Sequence, residues 1–310
     1  MLIDIALIGQ RLFANPSIRQ RIVTDYSLNP QNNAADFLSS VIEKLEQLPR
    51  SDFLTASIDN RDIFRAAVRA IGSNSRSWSS FVKNEYQIEE ILSNYQYLSV
   101  NQASEDGIFD VNKLADLLPG QTKNSDAKAI IKWAHMLDAY PNFYDKLKTV
   151  AAYFRTQLDT HLISREHLFL AVVAFYCNPT ISGNHSNKIF QSSISTNHEL
   201  TKLPGMQFAL LSEFLRNIGW DGFKPDRHIQ RLFKMWHPIE DREVMESVQK
   251  LCILLGTHSR DVKEFLYCSL LGRKLAPKGI AISVVDNMVW LLGSYVEKKG
   301  KESTIDYLKK

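Results

Sequence analysis

The chain of 310 residues contains only three cysteines, Cys177, Cys252 and Cys268. Three scattered cysteines are too few, and odd in number, for the disulfide framework of a small secreted protein. They suit a reducing compartment, so the sequence predicts a cytoplasmic protein.

Long hydrophobic runs are also missing. No apolar stretch approaches the roughly 18 residues that a membrane-spanning helix needs. The N-terminus, MLIDIALIGQRLFAN, has an apolar start but neither a basic region nor a small-residue cleavage site. It therefore predicts the first helix of the fold rather than a signal peptide, and no membrane partner is expected.

Several motifs of catalysis and metal binding do not occur in the chain. There is no glycine-rich phosphate loop, no GxSxG and no Cys/His nucleophile pattern. The one close histidine pair is His161 and His167, and their spacing of six residues places them on different faces of a helix. No metal site is predicted.

The charge balance is modest but uneven. The formal net charge is +3. Residues 201–310 hold 18 Lys and Arg against 13 Asp and Glu, whereas residues 1–200 hold 19 against 21. The basic excess in the C-terminal third fits contact with nucleic acid, and a solvated basic face explains it equally well.

Apolar residues recur at helical spacing along nearly the whole chain, and strand-like alternation is almost absent. The sequence therefore predicts an all-α fold. We expect residues 1–120 to form a helical N-terminal region, either part of the core or an appendage, and residues 121–310 to form a second helical domain. A polar run at 179–198 predicts a long loop, and NEYQIEEILSNYQYL predicts one helix.

The segment 199–231 has the most distinctive pattern, ELTKLPGMQFALLSEFLRNIGWDGFKPDRHIQR. It predicts a helix that ends near Lys202, a tight turn at residues 203–206 and a second helix closed by Gly219. Gly205 can supply the positive φ that the turn needs. After Pro225, Asp226 is placed to cap a further helix.

These residues resemble the helix-hairpin-helix family of DNA glycosylases, which includes endonuclease III-like and AlkA-like enzymes. The resemblance is carried by LPGM at 203–206, FLRNIG at 214–219 and PDRHIQR at 225–231. It extends over a segment of about 35 residues. A similar LPGQ at 118–121 lacks the following helix and acidic motif, so it predicts only a helix stop.

The resemblance implies two helical subdomains with a cleft between them and a monomer that binds double-stranded DNA. It implies a base-excision repair enzyme that flips a modified base and cleaves its N-glycosidic bond, with Asp226 as the catalytic residue. Such an enzyme would be nucleoid-associated in a prokaryote. The implied DNA-binding residues are Leu203, Gly205, Met206, Gln207, Lys224, Arg227 and Arg231.

Some implied features are less direct. Trp220 is a candidate to stack on a flipped base, although Trp133, Trp220, Trp236 and Trp290 are each compatible with core positions. The hairpin carbonyls of the family can hold a monovalent cation. No iron–sulfur cluster is expected, since such a cluster needs four cysteines near the C-terminus and residues 201–310 contain only Cys252 and Cys268.

The sequence also departs from the family pattern. Gln207 replaces the second hairpin glycine, and Leu211 replaces a small residue. The lysine that forms a Schiff base in bifunctional members has no counterpart at 207–210, which implies a monofunctional enzyme unless Lys132 or Lys188 enters the site. A non-catalytic helix-hairpin-helix DNA-binding protein and an all-α interaction scaffold are the alternatives.

Overall fold

The computed structural model describes residues 2–45, 56–74, 78–118, 120–190, 201–296 and 308–309. The all-α prediction is confirmed for these residues, which form sixteen α-helices and a single pair of two-residue strands. In chain order the elements are β1 (Leu2–Ile3), α1 (Ile5–Ala14), α2 (Pro16–Tyr26), α3 (Ala34–Leu45), α4 (Asn60–Gly72), α5 (Trp78–Ile91), α6 (Tyr97–Glu105), α7 (Val111–Leu117), α8 (Lys123–Ala139), α9 (Phe143–Thr160), α10 (Leu168–Cys177), α11 (Pro179–Ile189), α12 (Phe208–Asn217), α13 (Arg227–Trp236), α14 (Arg242–Leu255), α15 (Arg260–Leu275), α16 (Ile282–Leu291) and β2 (Leu308–Lys309). In the described part of the chain, no helix has the length and apolar composition needed to cross a membrane.

The chain forms two compact units. Unit 1 comprises Met1–Pro49, Asp221–Ile253 and His258–Lys310. Within it, α1 packs against α2, α3 and α16, and α13 packs against α15 and α16. A π-helical turn at Leu292–Val296 continues α16, and β1 pairs antiparallel with β2.

Unit 2 comprises Arg50–Trp220 and Leu254–Thr257. In this unit α8 packs against α4, α6 and α7, and α10 packs against α9, α11 and α12. Every residue of α10 from Leu168 to Tyr176 is buried. A helix that is apolar on every side is stable only in the interior of its unit, and α10 lies there.

The boundary between the two units does not fall at residue 120. Residue 120 lies inside unit 2, because α7 and α8 on either side of it pack against each other. The first 49 residues instead group with the C-terminal helices. The spacing of apolar residues predicts each helix, but it does not indicate which distant helix packs against it.

Local capping chemistry agrees with the sequence. Asp110 accepts hydrogen bonds from the N–H groups of Asn112 and Lys113 and so begins α7. Gly219 has φ +93°, and the N–H of Trp220 donates to the carbonyl of Leu215. That bond closes α12 in the manner of a Schellman motif.

The prediction of a single helix over NEYQIEEILSNYQYL was wrong. The pattern NEYQIEEILSNYQYL is split between α5 and α6, because Ser93, Asn94 and Tyr95 all have φ between +52° and +60°. Left-handed residues cannot continue a right-handed helix.

The prediction of a loop at 179–198 was wrong for its first part, which is helical from Pro179 to Ile189. Residues 191–198 lie outside the described ranges. Asn178 caps the new helix, and His185 buries its ring against Tyr153.

Asn60 supplies a long-range polar contact on which unit 2 depends. Its buried side-chain amide donates to the carbonyls of Leu137 and Tyr140 and accepts from the N–H of Phe143. It thereby provides hydrogen-bond partners for main-chain groups at the junction of α8 and α9, because the groups at helix ends have no partner within their own helix.

We expect Asn60→Ala to lower the free energy of unfolding by about 2–4 kcal/mol, because it leaves buried main-chain groups unpaired. Urea denaturation measures the loss. Asn112→Ala, at an exposed position, is the matched control and should change stability by less than about 0.5 kcal/mol. Equal effects of the two changes would contradict the role of Asn60.

Candidate functional site

The hairpin at residues 203–206 forms the tight turn that the sequence predicts. The N–H of Met206 donates to the carbonyl of Leu203 at 3.2 Å, and Gly205 has φ +70°. The preceding segment differs from the prediction, since Thr201 and Lys202 are not helical and residues 191–200 lie outside the described ranges.

The hairpin is held against α8. A Cβ built on Gly205 would lie 2.8 Å from the Cβ of Ala129, closer than side-chain atoms approach in proteins. The indole N–H of Trp133 donates to the carbonyl of Pro204 at 2.8 Å. Trp133 is itself buried between the rings of Phe143 and Phe214. The turn is therefore fixed by a close contact and by a hydrogen bond from the core.

Only part of the hairpin faces solvent. The side chains of Leu203 and Met206 are buried, whereas Gly205 and Gln207 are exposed. Gln207 is the N-cap residue of α12, and its side chain makes no capping hydrogen bond with any described residue. Leu203 and Met206 thus anchor the turn, Gly205 and Gln207 are exposed, and the first two residues of α12, Phe208 and Ala209, are half-buried.

Two exposed lysines on α8 lie beside the residue that the hairpin contacts. Lys128 and Lys132 stand one residue before and three residues after Ala129. With about 100° of rotation per residue, both project to the same side of Ala129. Lys202 is exposed at the other end of the hairpin. The sequence alone did not indicate Lys128, because only the fold brings Ala129 to Gly205.

Asp226 is the N-cap of α13, as predicted. Its Oδ1 accepts from the N–H of His228 at 2.8 Å and of Ile229 at 3.1 Å. Its side chain is half-buried. One carboxylate oxygen is therefore fixed by the helix N-terminus, which orients the other oxygen.

The segment before Asp226 is tied to α16 by two further carboxylates. Asp221 accepts from the N–H groups of Ile282 and Ser283 at 3.0 and 2.9 Å. Asp286 accepts from the N–H of Lys224 at 2.6 Å. Neither acid was singled out from the sequence, since each acts on residues more than 60 positions away.

Two of these acids act on a buried cysteine in unit 1. Burial raises the pKa of the Cys268 thiol, and the nearby carboxylates of Asp286 and Asp226 raise it further. Cys268 is therefore a protonated, unreactive thiol. Asp226 and Asp286 therefore both lie near the Cys268 thiol.

The cations after Asp226 differ in their surroundings. Arg227 is exposed and Lys224 is half-buried. Arg231 donates to the carbonyl of Gly293 at 2.7 Å, and the His228 ring contacts the same oxygen at 3.2 Å. Burial lowers the pKa of His228, although Asp226 opposes the shift. Arg231 thus braces α13 against the π-helical turn.

Trp220 does not present a stacking surface. Its side chain is 1% exposed, and its indole N–H donates to the Tyr144 hydroxyl at 3.3 Å. A base cannot stack on a ring that has no accessible face, so Trp220 is a core residue in this conformation. Trp133 and Trp236 are buried as well.

The predicted site residues fall into two groups. Leu203, Gly205, Met206 and Gln207 belong to unit 2. Lys224, Asp226, Arg227 and Arg231 belong to unit 1. The chain passes from one unit to the other between Trp220 and Asp221.

The carbonyls of Leu203 and Pro204 in the hairpin each accept one hydrogen bond, from Met206 and Trp133 respectively. A carbonyl oxygen has two lone pairs, so these bonds leave each oxygen able to coordinate the monovalent cation that the resemblance implies. Elsewhere in the described ranges, no group of three or more His, Cys, Asp or Glu residues is arranged to hold a metal ion.

Comparisons with known proteins add no family. No family model, no curated protein and no solved structure matches the chain. The likeness to helix-hairpin-helix glycosylases therefore depends on the residues of the segment 203–231 themselves.

We expect Gly205→Ala to destabilise the protein more than Gly107→Ala. The two glycines have almost the same φ, +70° and +69°, but around Gly107 no described atom lies within 4 Å of the added Cβ. Gly107→Ala should cost about 1–2 kcal/mol for its backbone conformation alone. Gly205→Ala should cost at least about 1 kcal/mol more, because its Cβ collides with Ala129.

A double-mutant cycle with Ala129→Gly separates the two causes. Removing the Ala129 Cβ should recover the excess cost of Gly205→Ala and leave the backbone term, which gives a coupling energy of about 1 kcal/mol in urea denaturation. Equal costs at Gly205 and Gly107 would show that the hairpin does not approach α8 closely.

Proposed function

We propose that this protein is a monofunctional DNA N-glycosylase that binds double-stranded DNA, flips a modified base and cleaves its N-glycosidic bond. The observation that carries the proposal is one continuous segment. A glycine-centred hairpin leads into α12, and α12 leads to a carboxylate held at the N-terminus of α13. This is the order of parts that the resemblance implies.

The hairpin is assigned to the DNA backbone. Exposed main-chain N–H groups and a helix N-terminus attract phosphate oxygens without reading the base sequence. Lys128, Lys132 and Lys202 add positive charge beside Gly205. In this proposal Gly205 and Gln207 meet the phosphate, Leu203 and Met206 support the turn, and Lys224 and Arg227 contact the backbone near Asp226.

Asp226 is assigned to the chemistry. As the N-glycosidic bond breaks, the sugar develops positive charge that a nearby carboxylate can stabilise. The N–H groups of His228 and Ile229 fix Oδ1, so that the carboxylate needs little reorganisation when the charge develops.

A non-catalytic DNA-binding protein is the second candidate. It is favoured by Gln207 in place of the second hairpin glycine, by Leu211 in place of a small residue, and by the capping role that already engages Asp226. This alternative predicts binding without base release.

The enzyme assay uses duplex oligonucleotides that carry a panel of modified bases, followed by alkali to break the resulting abasic sites. We expect Asp226→Asn to reduce strand cleavage by about 10²-fold or more, because the stabilising charge is lost. DNA affinity and fold should be retained, since asparagine is also a good N-cap.

Asp110→Asn is the matched control. Asp110 caps α7 with the same pair of bonds, to residues two and three positions ahead. It should leave cleavage unchanged. Full activity of Asp226→Asn would remove Asp226 from the mechanism, and binding without cleavage by the wild-type protein would favour the non-catalytic alternative.

A second prediction concerns the lysines beside the hairpin. The double change Lys128→Ala/Lys132→Ala should weaken DNA binding and lower the slope of log K against log salt by about 1–2, since each lost phosphate contact removes about 0.9. Fluorescence anisotropy at several salt concentrations measures the slope.

The control for this experiment is Lys83→Ala/Lys250→Ala, which removes two exposed helical lysines. Its slope should stay within experimental error of the wild type. Equal losses in both variants would indicate an effect of net charge rather than contact at the hairpin.

A further inference from the structure

Asp286 is an ionisable residue in the core of unit 1 that the proposed mechanism does not yet use. It lies on α16 and is 1% exposed. Burying a carboxylate is costly unless hydrogen bonds compensate the lost water. Its Oδ1 accepts from the main-chain N–H of Lys224 at 2.6 Å, so at least one compensating bond is directed at the segment that precedes Asp226.

The bond to Lys224 continues to Asp226 through the main chain. The N–H of Asp226 donates to the carbonyl of Lys224 at 2.8 Å, across Pro225. The proline ring restricts the backbone between the two residues. Lys224 therefore links the two acids, since its N–H donates to Asp286 and its carbonyl accepts from the N–H of Asp226.

A second carboxylate makes the same connection in the opposite direction. Asp221, at the start of the segment, accepts from the N–H groups of Ile282 and Ser283 at the N-terminus of α16. The segment 221–226 is thus fixed to α16 at two points, by its own acid at residue 221 and by Asp286 at residue 224.

We propose that Asp286 is a positioning residue for Asp226. The hydrogen bond from Lys224 to Asp286 sets the main-chain path that places the Asp226 carboxylate beside the reacting sugar. This inference rests on the proposed glycosylase function. A misplacement of about 1 Å can reduce a rate by roughly 10²-fold, so loss of this bond should act on turnover.

Two variants of Asp286 test the proposal. Asp286→Asn keeps an oxygen that accepts the Lys224 N–H, and we expect its kcat to remain within about threefold of the wild type. Asp286→Ala has no acceptor, and its kcat should fall at least about tenfold with unchanged affinity for DNA. Asn60→Ala, destabilised in unit 2, should retain its kcat at temperatures where it is folded, which controls for general destabilisation.

Amide hydrogen exchange gives a readout that does not need activity. In Asp286→Ala the N–H groups of Lys224 and Asp226 should exchange at least about tenfold faster, because their bonds are lost or weakened, whereas those of α13 should stay protected. In Asp286→Asn both should exchange as in the wild type.

The outcomes separate the two proposals. Unchanged exchange in Asp286→Ala, or unchanged kcat in that variant, overturns the positioning role. An equal loss of kcat in Asp286→Asn and Asp286→Ala also overturns it, since charge rather than the hydrogen bond would then be needed. If the wild-type protein releases no base from any duplex, the proposed function and the catalytic part of this inference fall, and hydrogen exchange still decides whether Asp286 holds the segment.

Discussion

Hydrogen bonds from main-chain N–H groups to aspartate carboxylates hold the site segment of unit 1 in place. The segment 221–226 has no regular secondary structure, so its N–H groups and those of the adjacent helix starts need other acceptors. Asp221, Asp226 and Asp286 supply them. Because the bonds run to α13 and α16, an irregular segment gains a fixed path. The proposed chemistry of Asp226 depends on that path.

In unit 2 the turn at residues 203–206 is held by close packing against α8. Gly205 can lie against Ala129 because neither has a side chain beyond Cβ. The indole N–H of Trp133 also donates a hydrogen bond to the carbonyl of Pro204. Fixing the turn in this way means that little entropy is lost when a ligand binds to its exposed face. The two departures from the family pattern, Gln207 and Leu211, do not prevent the turn from forming.

The sequence predicted local features well and long-range features poorly. The cap at Asp226, the helix end at Gly219 and the positive φ of Gly205 are each encoded within a few residues, and each is confirmed. The break at Ser93–Tyr95 was missed because left-handed residues other than glycine leave little trace in composition. Trp220 lies in the loop between Gly219 and Asp226, where the sequence does not distinguish an exposed residue from a buried one. Only its contact with Tyr144 shows that it belongs to the core.

By itself, the sequence determined the all-α class, the helix end at Gly219, the helix start at Asp226 and the order turn, helix, aspartate. Those features depend on spacing and caps, which act over a single turn of chain. The tertiary structure alone decided that residues 1–49 join the C-terminal helices, that Ala129 of α8 lies against Gly205, and that Asp286 accepts a hydrogen bond from Lys224. These relations join residues far apart in the chain, and their energies come from packing and buried hydrogen bonds that form only when the chain has folded.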